Sequence, residues 1–297
     1  MTRRRFLRWL IAASAAGVAT PAYAFWVEPG LRLIVRHYTL RPPAWPRDMP
    51  LRIVALSDPH LGAPYMSLER YAGIVAAANS LEPDLIVLLG DYEAGLRPRF
   101  VTQQVSMPEF ARESARLAAR CGVVAILGNH DWWSDPLAQH TRFGPVRAAR
   151  ALLDHGIPVL HNDAIRLSTG DRPFWVLGLG DQLALLRPSG RPDGVDDLAG
   201  TLAKIGDDAP ALLLAHEPDI FPQVPSRVAL TLCGHTHGGQ IRLFGYSPRV
   251  PSAYGNRYAY GHIVEDGRHL VVSGGLGRSV LPVRVGVPPE ITVVELA

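Results

Sequence analysis

Cysteine is scarce in this sequence, with only Cys121 and Cys233 among 297 residues. Each lies inside an apolar run, so the pattern predicts two buried thiols. A disulfide framework and a thiolate metal site are both unsupported.

Net charge is also nearly absent from most of the chain. The formal charge is +3, but the first 24 residues hold four arginines and no acidic residue, which leaves 26 basic and 27 acidic residues in the remainder. A neutral body lacks the broad positive field that nucleic-acid binding requires. We therefore expect no nucleic-acid partner, and a nuclease is the weakest of the functions considered.

The apolar run near the N-terminus is too short to cross a bilayer. It extends from Trp9 to Ala19, about eleven residues against the roughly 20 that a spanning helix needs. Paired arginines (Arg3 and Arg4) precede it and Ala22-Tyr23-Ala24 follows, as is typical of a twin-arginine export signal with a small-x-small cleavage site. We predict a signal peptide over residues 1–24, recognition by the twin-arginine export machinery, and a location in the periplasm or on the outer face of the cytoplasmic membrane. A permanent membrane anchor is the alternative.

The remaining residues, 25–297, are predicted to form a single α/β domain. At 47% hydrophobic residues the chain is too apolar to be disordered. From residue 51 onward apolar runs alternate with helical patterns, which predicts parallel strands covered by helices. Strands outnumber helices late in the chain, which favours a second sheet stacked on the first. Predicted strands are 53–56, 85–89, 123–127, 158–161, 164–167, 174–179, 211–215, 228–233, 269–273 and 291–296; predicted helices are 68–78, 110–119, 146–155 and 195–205; residues 238–260 are predicted to be a long loop.

Polar residues follow five of the predicted strands, at the points where the strands end. Because the carboxyl ends of strands in open α/β sheets gather at one crevice, we expect these side chains to converge. Their nitrogen and oxygen donors are too many for one ion with an open position, and they suit two divalent ions in the Mn, Fe, Co, Ni or Zn range. The predicted ligands are Asp58, His60, Asp91, Asn129, His216, His235 and His237.

The motifs Asp-x-His, Gly-Asp, Gly-Asn-His-Asp, a single His and Gly-His-x-His, in this order over residues 51–276, resemble the calcineurin-like metallophosphoesterase superfamily. Residues 239–243 and 274–277 further resemble its exported bacterial branch, the YaeI/YkuE-type phosphodiesterases. The resemblance implies a four-layer αββα sandwich of two mixed β-sheets flanked by helices. It also implies that a hydroxide between two ions attacks phosphorus while His130 protonates the leaving group or binds a phosphoryl oxygen. One ion would be held by Asp58, His60, Asp91 and His237, and the other by Asp91, Asn129, His216 and His235, with Asp91 as the bridge.

The sequence departs from the protein Ser/Thr phosphatases of that superfamily. Their phosphate-clamping arginines are absent, and Ala94 stands where they place the carboxylate that orients the catalytic histidine. Asp131, next to His130, is the candidate replacement and is counted with it as catalytic. Candidate substrate-binding residues are Trp132 and Trp133 after this motif and Arg242 in the long loop; for the tryptophans, packing under a loop is the alternative.

The leading functional hypothesis is a metal-dependent phosphodiesterase that hydrolyses a phosphodiester or pyrophosphate bond in a small-molecule or lipid-linked substrate. One alternative is a lipid-precursor pyrophosphatase of the UDP-2,3-diacylglucosamine type, associated peripherally with the membrane. The other is a non-catalytic binding scaffold, which is disfavoured because every predicted ligand and His130 are present.

Overall fold

The computed structural model describes residues 4–5, 20–95 and 100–297. Residues 1–3 and 6–19 of the predicted signal peptide therefore lie outside the described residues. The described chain continues from residue 20 through a π-helical turn, Tyr23–Val27, into a short helix, Glu28–Leu31. Within the described ranges, no helix combines the length and the apolar character that crossing a bilayer requires.

Thirteen strands and seven α-helices make up the regular structure of the described residues. The strands are β1 (Ile34–Leu40), β2 (Leu51–Leu56), β3 (Gly62–Ala63), β4 (Leu85–Leu88), β5 (Gln103–Gln104), β6 (Val123–Ala125), β7 (Asp163–Thr169), β8 (Arg172–Gly178), β9 (Ala211–Leu214), β10 (Val228–Cys233), β11 (Gly261–Glu265), β12 (Arg268–Val272) and β13 (Glu290–Leu296). The helices are α1 (Glu28–Leu31), α2 (Leu68–Ser80), α3 (Met107–Ser114), α4 (Asn129–Trp133), α5 (Pro136–Thr141), α6 (Arg147–Asp154) and α7 (Leu198–Leu202).

Two mixed sheets form the centre of the molecule. The first has five strands in the order β1-β13-β2-β4-β6, in which only the β13–β2 pair is antiparallel. The second has six strands in the order β11-β12-β10-β9-β8-β7, with antiparallel pairs at its two edges and parallel strands between them. The predicted pair of mixed sheets is confirmed.

Three apolar cores separate four layers. Along β2, Val54 and Leu56 face a core shared with helices α2, α3 and α6, whereas Ile53 and Ala55 face a core between the two sheets. A third core lies on the outer face of the second sheet, where a 3₁₀ turn contributes Phe221. Central strands are thus buried on both faces, which is why they are continuous apolar runs in the sequence. The αββα order of layers is confirmed.

Several predicted elements differ from the structure. Residues 158–161 form only an isolated bridge, between Val159 and Ala125. Helix α3 begins earlier than predicted because Ser106 and Glu109 form a capping box, and it ends at Ser114. The 195–205 helix is reduced to α7, while edge strands β1 and β11 were not predicted because polar residues interrupt them. Cys233 is buried as predicted, but Cys121 is only partly buried because it lies in the turn before β6.

Candidate metal centre

Strand ends position all seven predicted ligands. Strands β2, β4 and β6 are parallel neighbours in the first sheet, and β9 and β10 are parallel neighbours in the second, so their carboxyl ends lie at common edges. The side chains that follow them meet in two groups whose donor atoms lie within 4.8 Å of one another. One group is Asp58, His60 and His237, and the other is Asp91, His216 and His235.

Asp91 lies between the two groups. Its Oδ2 atom is 3.5 Å from Nε2 of His60 and 3.3 Å from Nε2 of His216. In the first group, Nε2 of His237 is 3.5 Å from Oδ1 of Asp58. A carboxylate in this position can contact ligand atoms of both groups, as the predicted bridging role requires.

Asn129 completes the second group. Its Oδ1 atom lies 3.0 Å from Nδ1 of His235, and its side chain is buried at the start of α4. The structure therefore brings all seven predicted ligands to one place.

Hydrogen bonds to backbone carbonyls fix which ring nitrogen of two histidines faces this centre. Nδ1 of His60 lies 3.0 Å from the carbonyl oxygen of Glu93, and Nδ1 of His216 lies 2.7 Å from that of Leu89. Because a carbonyl oxygen only accepts, each Nδ1 carries the proton and each Nε2 is left without one when the imidazole is neutral. Backbone carbonyls orient metal-binding histidines in this way in many metal sites.

Burial sets the charge of several of these side chains. Desolvation lowers the pKa of His60 to about 3 and that of His235 to about 3, so both are neutral at physiological pH. Burial also acts to lower the pKa of His216, but neighbouring Asp91 raises it well above the ordinary value. Desolvation raises the pKa of Asp58 to about 6. Neutral imidazole is the form that binds a metal ion.

Backbone strain is concentrated in the same residues. Five predicted ligands have φ angles in the left-handed region, which is uncommon for residues other than glycine. They are Asp58 (52°), His60 (43°), Asp91 (56°), His235 (67°) and His237 (50°). Such conformations cost on the order of 1–3 kcal/mol each and persist where the surrounding structure enforces them, typically at functional sites.

A divalent metal fits these residues. Nε2 of His216 is buried and has no hydrogen-bond partner among the described residues. Nε2 of His60 and Nε2 of His237 lie 3.1 Å apart, which places two ring nitrogens beside the same small space. Nitrogen and oxygen donors of this kind bind divalent ions of the first transition series.

His130 lies beside this centre, on α4. Its backbone N–H donates to Oδ1 of Asp91 over 2.8 Å, and its ring is 4.8 Å from that of His60, measured between centroids. Nδ1 of His130 is buried without a hydrogen-bond partner among the described residues. Desolvation lowers the pKa of this imidazole. The side chain is thus placed to meet a group bound at the ligand cluster.

Asp131 does not orient His130, contrary to the role considered from the sequence. Its Oδ2 accepts hydrogen bonds from the backbone N–H groups of Asp91 and Gly128, at 2.9 Å each. Its Oδ1 accepts from the N–H groups of Tyr92 and Glu93, at 2.8 and 3.2 Å. The carboxylate therefore joins the loop after β4 to the start of α4, and it positions ligands instead of touching a reacting group.

The predicted substrate-binding residues have different surroundings. Trp133 packs against His130, with ring centroids 5.1 Å apart, and donates a hydrogen bond to the carbonyl of Leu183. Trp132 is only 2% exposed and packs in the core beneath the helices, in line with the packing alternative. Arg242 donates to Ser247 and Asn256 and lies over the ring of Tyr260.

Sequence reasoning missed a buried arginine at this site. Arg284 is 0% exposed, and its Nη2 lies 3.1 Å from Nδ1 of His237. The guanidinium also donates to the carbonyl oxygens of Gly275, Gly277 and Val287. Its signal in the sequence is a lone arginine between valines, 283 and 285, in an apolar segment. Burial lowers the pKa of Arg284 to about 10, which leaves it charged at neutral pH.

A second missed feature is a pair of buried carboxyl groups behind His216. Asp181 and Glu217 are 1% and 2% exposed, and both lie within reach of the His216 ring. Desolvation raises the pKa of each carboxyl. Their signal in the sequence is weak, because each is an ordinary acidic residue just after a strand.

Fold and site together define an α/β protein with a cluster of candidate metal ligands at the strand ends. The model of the calcineurin-like phosphoesterase family matches residues 51–239. The chain is 33% identical to the uncharacterized metallophosphoesterase YkuE of Bacillus subtilis, covering 100% of this chain and 98% of that protein. It is 30% identical to phosphodiesterase YaeI of Escherichia coli, covering 100% and 99%. The chain therefore belongs to the calcineurin-like phosphoesterase family, and it is a hydrolase acting on phosphoric ester bonds.

One solved structure shows a more distant likeness. A dimetal phosphatase from Danio rerio aligns with 76% of this chain and 87% of its own, at 11% identity and a TM-score of 0.38.

Proposed function

We propose that this protein is a phosphodiesterase that works with two divalent cations sharing Asp91. The observation that carries the proposal is the position of Oδ2 of Asp91, at 3.5 Å from one histidine nitrogen and 3.3 Å from another, each belonging to a different ligand group. One cation would be held by Asp58, His60, Asp91 and His237, and the other by Asp91, Asn129, His216 and His235. Ions of Mn, Fe, Zn, Co or Ni suit these donors.

Two bound cations supply charge that lowers the pKa of a water molecule and neutralises the phosphoryl oxygens. The residues of the chain do the positioning. Asp91 lies close to both groups of ligands and accepts a hydrogen bond from the backbone N–H of His130. This bond fixes the position of α4, which carries His130, relative to the ligands. The His130 imidazole, when protonated, donates a proton to the leaving alkoxide or a hydrogen bond to a phosphoryl oxygen.

The residue types near the candidate metal ligands favour a class of substrate. Ala94 occupies the position where related protein phosphatases carry a carboxylate, and the phosphate-clamping arginines of those enzymes are absent. A phosphodiester or pyrophosphate has groups on both sides of phosphorus that other surfaces can hold. The relative YaeI, named a phosphodiesterase, supports the same choice. We propose a small-molecule or lipid-linked phosphoester as the substrate.

Export is part of the same proposal. The paired arginines, the short apolar run and Ala22-Tyr23-Ala24 favour passage through the twin-arginine machinery. We propose that the enzyme acts in the periplasm or on the outer face of the cytoplasmic membrane. Mass spectrometry of the protein recovered from cells, with residue 25 expected as the first residue, tests this point.

Hydrolysis of bis(p-nitrophenyl) phosphate with added Mn²⁺ tests the activity. We expect turnover by the full chain and its loss in His130→Ala and Asp91→Asn. A matched control is His140→Ala, which removes an exposed histidine on α5 and should retain activity. Absence of turnover with every divalent metal would instead favour the non-catalytic scaffold, and hydrolysis of monoesters alone would rule out the diester assignment.

A further inference from the structure

Three segments next to the metal centre expose large apolar side chains to solvent. They are the turn after the last ligand, the loop after Gly277, and the π-helical turn Tyr23–Val27. The exposed side chains are Trp26 (59%), Leu243 (52%), Phe244, which is fully exposed, Tyr246 (62%), Val280 (78%) and Leu281 (51%). We call these six residues the apolar surface.

Direct contacts hold the three segments together. Gln240 connects the turn after the last ligand to the loop after Gly277. Its side chain accepts a hydrogen bond from the backbone N–H of Ser279 and donates one to the carbonyl of Leu281. Trp26 stacks on the ring of Tyr65, with centroids 5.6 Å apart, and the guanidinium of Arg278 in the loop after Gly277 lies over the same ring at 4.8 Å. The three segments are therefore neighbours in the structure, although they come from distant parts of the sequence.

Two residues of the apolar surface, Phe244 and Val280, have strained backbone conformations. Phe244 stands at the tip of a turn closed by Leu243 and Tyr246, with φ = 52°, and Val280 has φ = 53°. Bulky and β-branched side chains are rare in this left-handed region, where glycine or asparagine is usual. Both side chains are exposed to solvent, so burial of apolar area does not offset this strain. Exposed apolar patches of this kind mark sites of protein or membrane interaction.

The charge of these segments identifies the surface that covers them. The two loops, residues 238–264 and 278–289, contain five arginines and no aspartate or glutamate, and two of the five, Arg278 and Arg284, are buried. Arg32 and Arg249 are exposed close to the apolar surface. Apolar tips accompanied by arginines match a bilayer with anionic head groups, which accepts apolar side chains at the interface and attracts cations.

The apolar surface also borders the metal centre. The turn after the last ligand begins at residue 240, three residues after His237. The loop after Gly277 is adjacent to the centre as well, because the backbone N–H of Gly277 donates to the carbonyl of Asp58. A bilayer against these loops would bring lipid head groups close to the metal ligands.

We propose that the apolar surface docks on an anionic lipid bilayer, and that the substrate is an amphiphilic phosphodiester or pyrophosphate presented there. The docking stands on the exposed residues of the apolar surface and on the arginines of the two loops. The substrate class rests, in addition, on the proposed phosphodiesterase function.

An environment-sensitive fluorophore at the turn tip tests the docking in the full chain. Phe244→Cys is labelled in a Cys121→Ser background, because Cys233 is buried. Vesicles of phosphatidylglycerol and phosphatidylcholine are then added, with brominated lipids as quenchers. We expect a blue shift and quenching at position 244. The control label, at Phe143→Cys, replaces a phenylalanine that is 76% exposed outside the apolar surface and should not respond.

Other responses of the label overturn the proposal. Emission that is already blue-shifted in buffer and unchanged by vesicles shows that the N-terminal segment of the chain covers the surface. A blue shift that rises with protein concentration without lipid shows that a second copy covers it. Emission typical of water throughout shows that nothing covers it.

A kinetic test addresses the substrate class. Leu243→Ser/Phe244→Ser is expected to lower hydrolysis of a vesicle-borne phosphodiester about tenfold, since two apolar side chains no longer enter the bilayer. Hydrolysis of soluble bis(p-nitrophenyl) phosphate should stay within about twofold of the unaltered chain, since neither residue is a ligand. The matched control is Leu137→Ser/Phe143→Ser, with both residues exposed elsewhere. Equal loss on both substrates contradicts the amphiphilic substrate, and docking without any hydrolysis rejects the proposed function while leaving the docking intact.

Discussion

Nε2 of His60 and Nε2 of His237 lie 3.1 Å apart, although 177 residues separate the two histidines in the sequence. Nδ1 of His60 carries its proton toward a backbone carbonyl, so in neutral His60 the facing Nε2 holds a lone pair. Oδ1 of Asp58 approaches Nε2 of His237 to 3.5 Å. Two histidine nitrogens and a carboxylate oxygen thus border one small space, and the backbone of all three residues lies in the left-handed region.

Metal binding is therefore expected to stabilise the fold. Saturating Mn²⁺ added to chelator-treated protein should raise Tm by about 5–10 °C, because a ligand at 100 times its Kd contributes about 2.7 kcal/mol to a domain of this size. Differential scanning calorimetry measures the change. Equal concentrations of Ca²⁺, a poorer match for histidine nitrogens, serve as the control, and a Tm that Mn²⁺ leaves unchanged would contradict a preformed metal site.

Metal content distinguishes Asp91, the proposed shared ligand, from His237, which is proposed to bind one ion only. Asp91→Asn should lower the bound metal at both positions, because this carboxylate is close to histidines of both groups. His237→Ala should remove the ion of the first group and leave the other largely in place. Elemental analysis at fixed free Mn²⁺ gives the ratio of metal to protein. Equal losses in the two variants would argue against Asp91 as the shared ligand.

Asp131 is expected to affect stability through its four backbone hydrogen bonds. In Asp131→Asn an amide NH₂ faces backbone N–H groups in place of a carboxylate oxygen, and unfolding should become easier by about 2–3 kcal/mol. Urea denaturation of the metal-free protein measures this change. Asp208→Asn alters an exposed carboxyl and should stay within about 0.5 kcal/mol.

The same substitution should also weaken metal binding, since Asp131 holds the backbone of Asp91. A Kd for Mn²⁺ that is unaffected while stability falls would mean that the carboxylate supports the fold without positioning the ligands.

The absence of a side chain at Gly95 leaves room for the imidazole of His130. A Cβ atom at Gly95, where φ is +94°, would lie 2.5 Å from Nδ1 of His130. Gly95→Ala should therefore displace the imidazole and lower kcat about 100-fold, a typical contribution of general acid catalysis, with metal content unchanged.

Gly156→Ala is the matched control for this substitution. Its φ is +79°, so the backbone strain is similar, but nothing lies within 4 Å of the added Cβ. It should retain kcat while losing about 1 kcal/mol of stability. Equal kcat values in the two variants would show that contact with His130 is unimportant for turnover.

The candidate metal ligands could be identified from the sequence because each one lies within four residues of the end of an apolar strand. A strand buried on both faces is visible as a continuous apolar run, and its end marks the point where the chain reaches the crevice. Edge strands β1 and β11 were not predicted, since polar residues on their exposed faces interrupt the apolar pattern. The role of Asp131 was also inaccessible, because a side chain that accepts backbone N–H groups leaves no pattern of residue types.

By itself, the sequence determined which side chains reach the centre, since strand ends and short motifs are local properties of the chain. Only the tertiary structure decided how closely they approach one another, because the distance between His60 and His237 depends on how two separate sheets pack. It also decided that Arg284 is buried beside His237, and that Trp26, Phe244 and Leu281 belong to one apolar surface. Contacts between residues so far apart in sequence arise only when the layers are stacked.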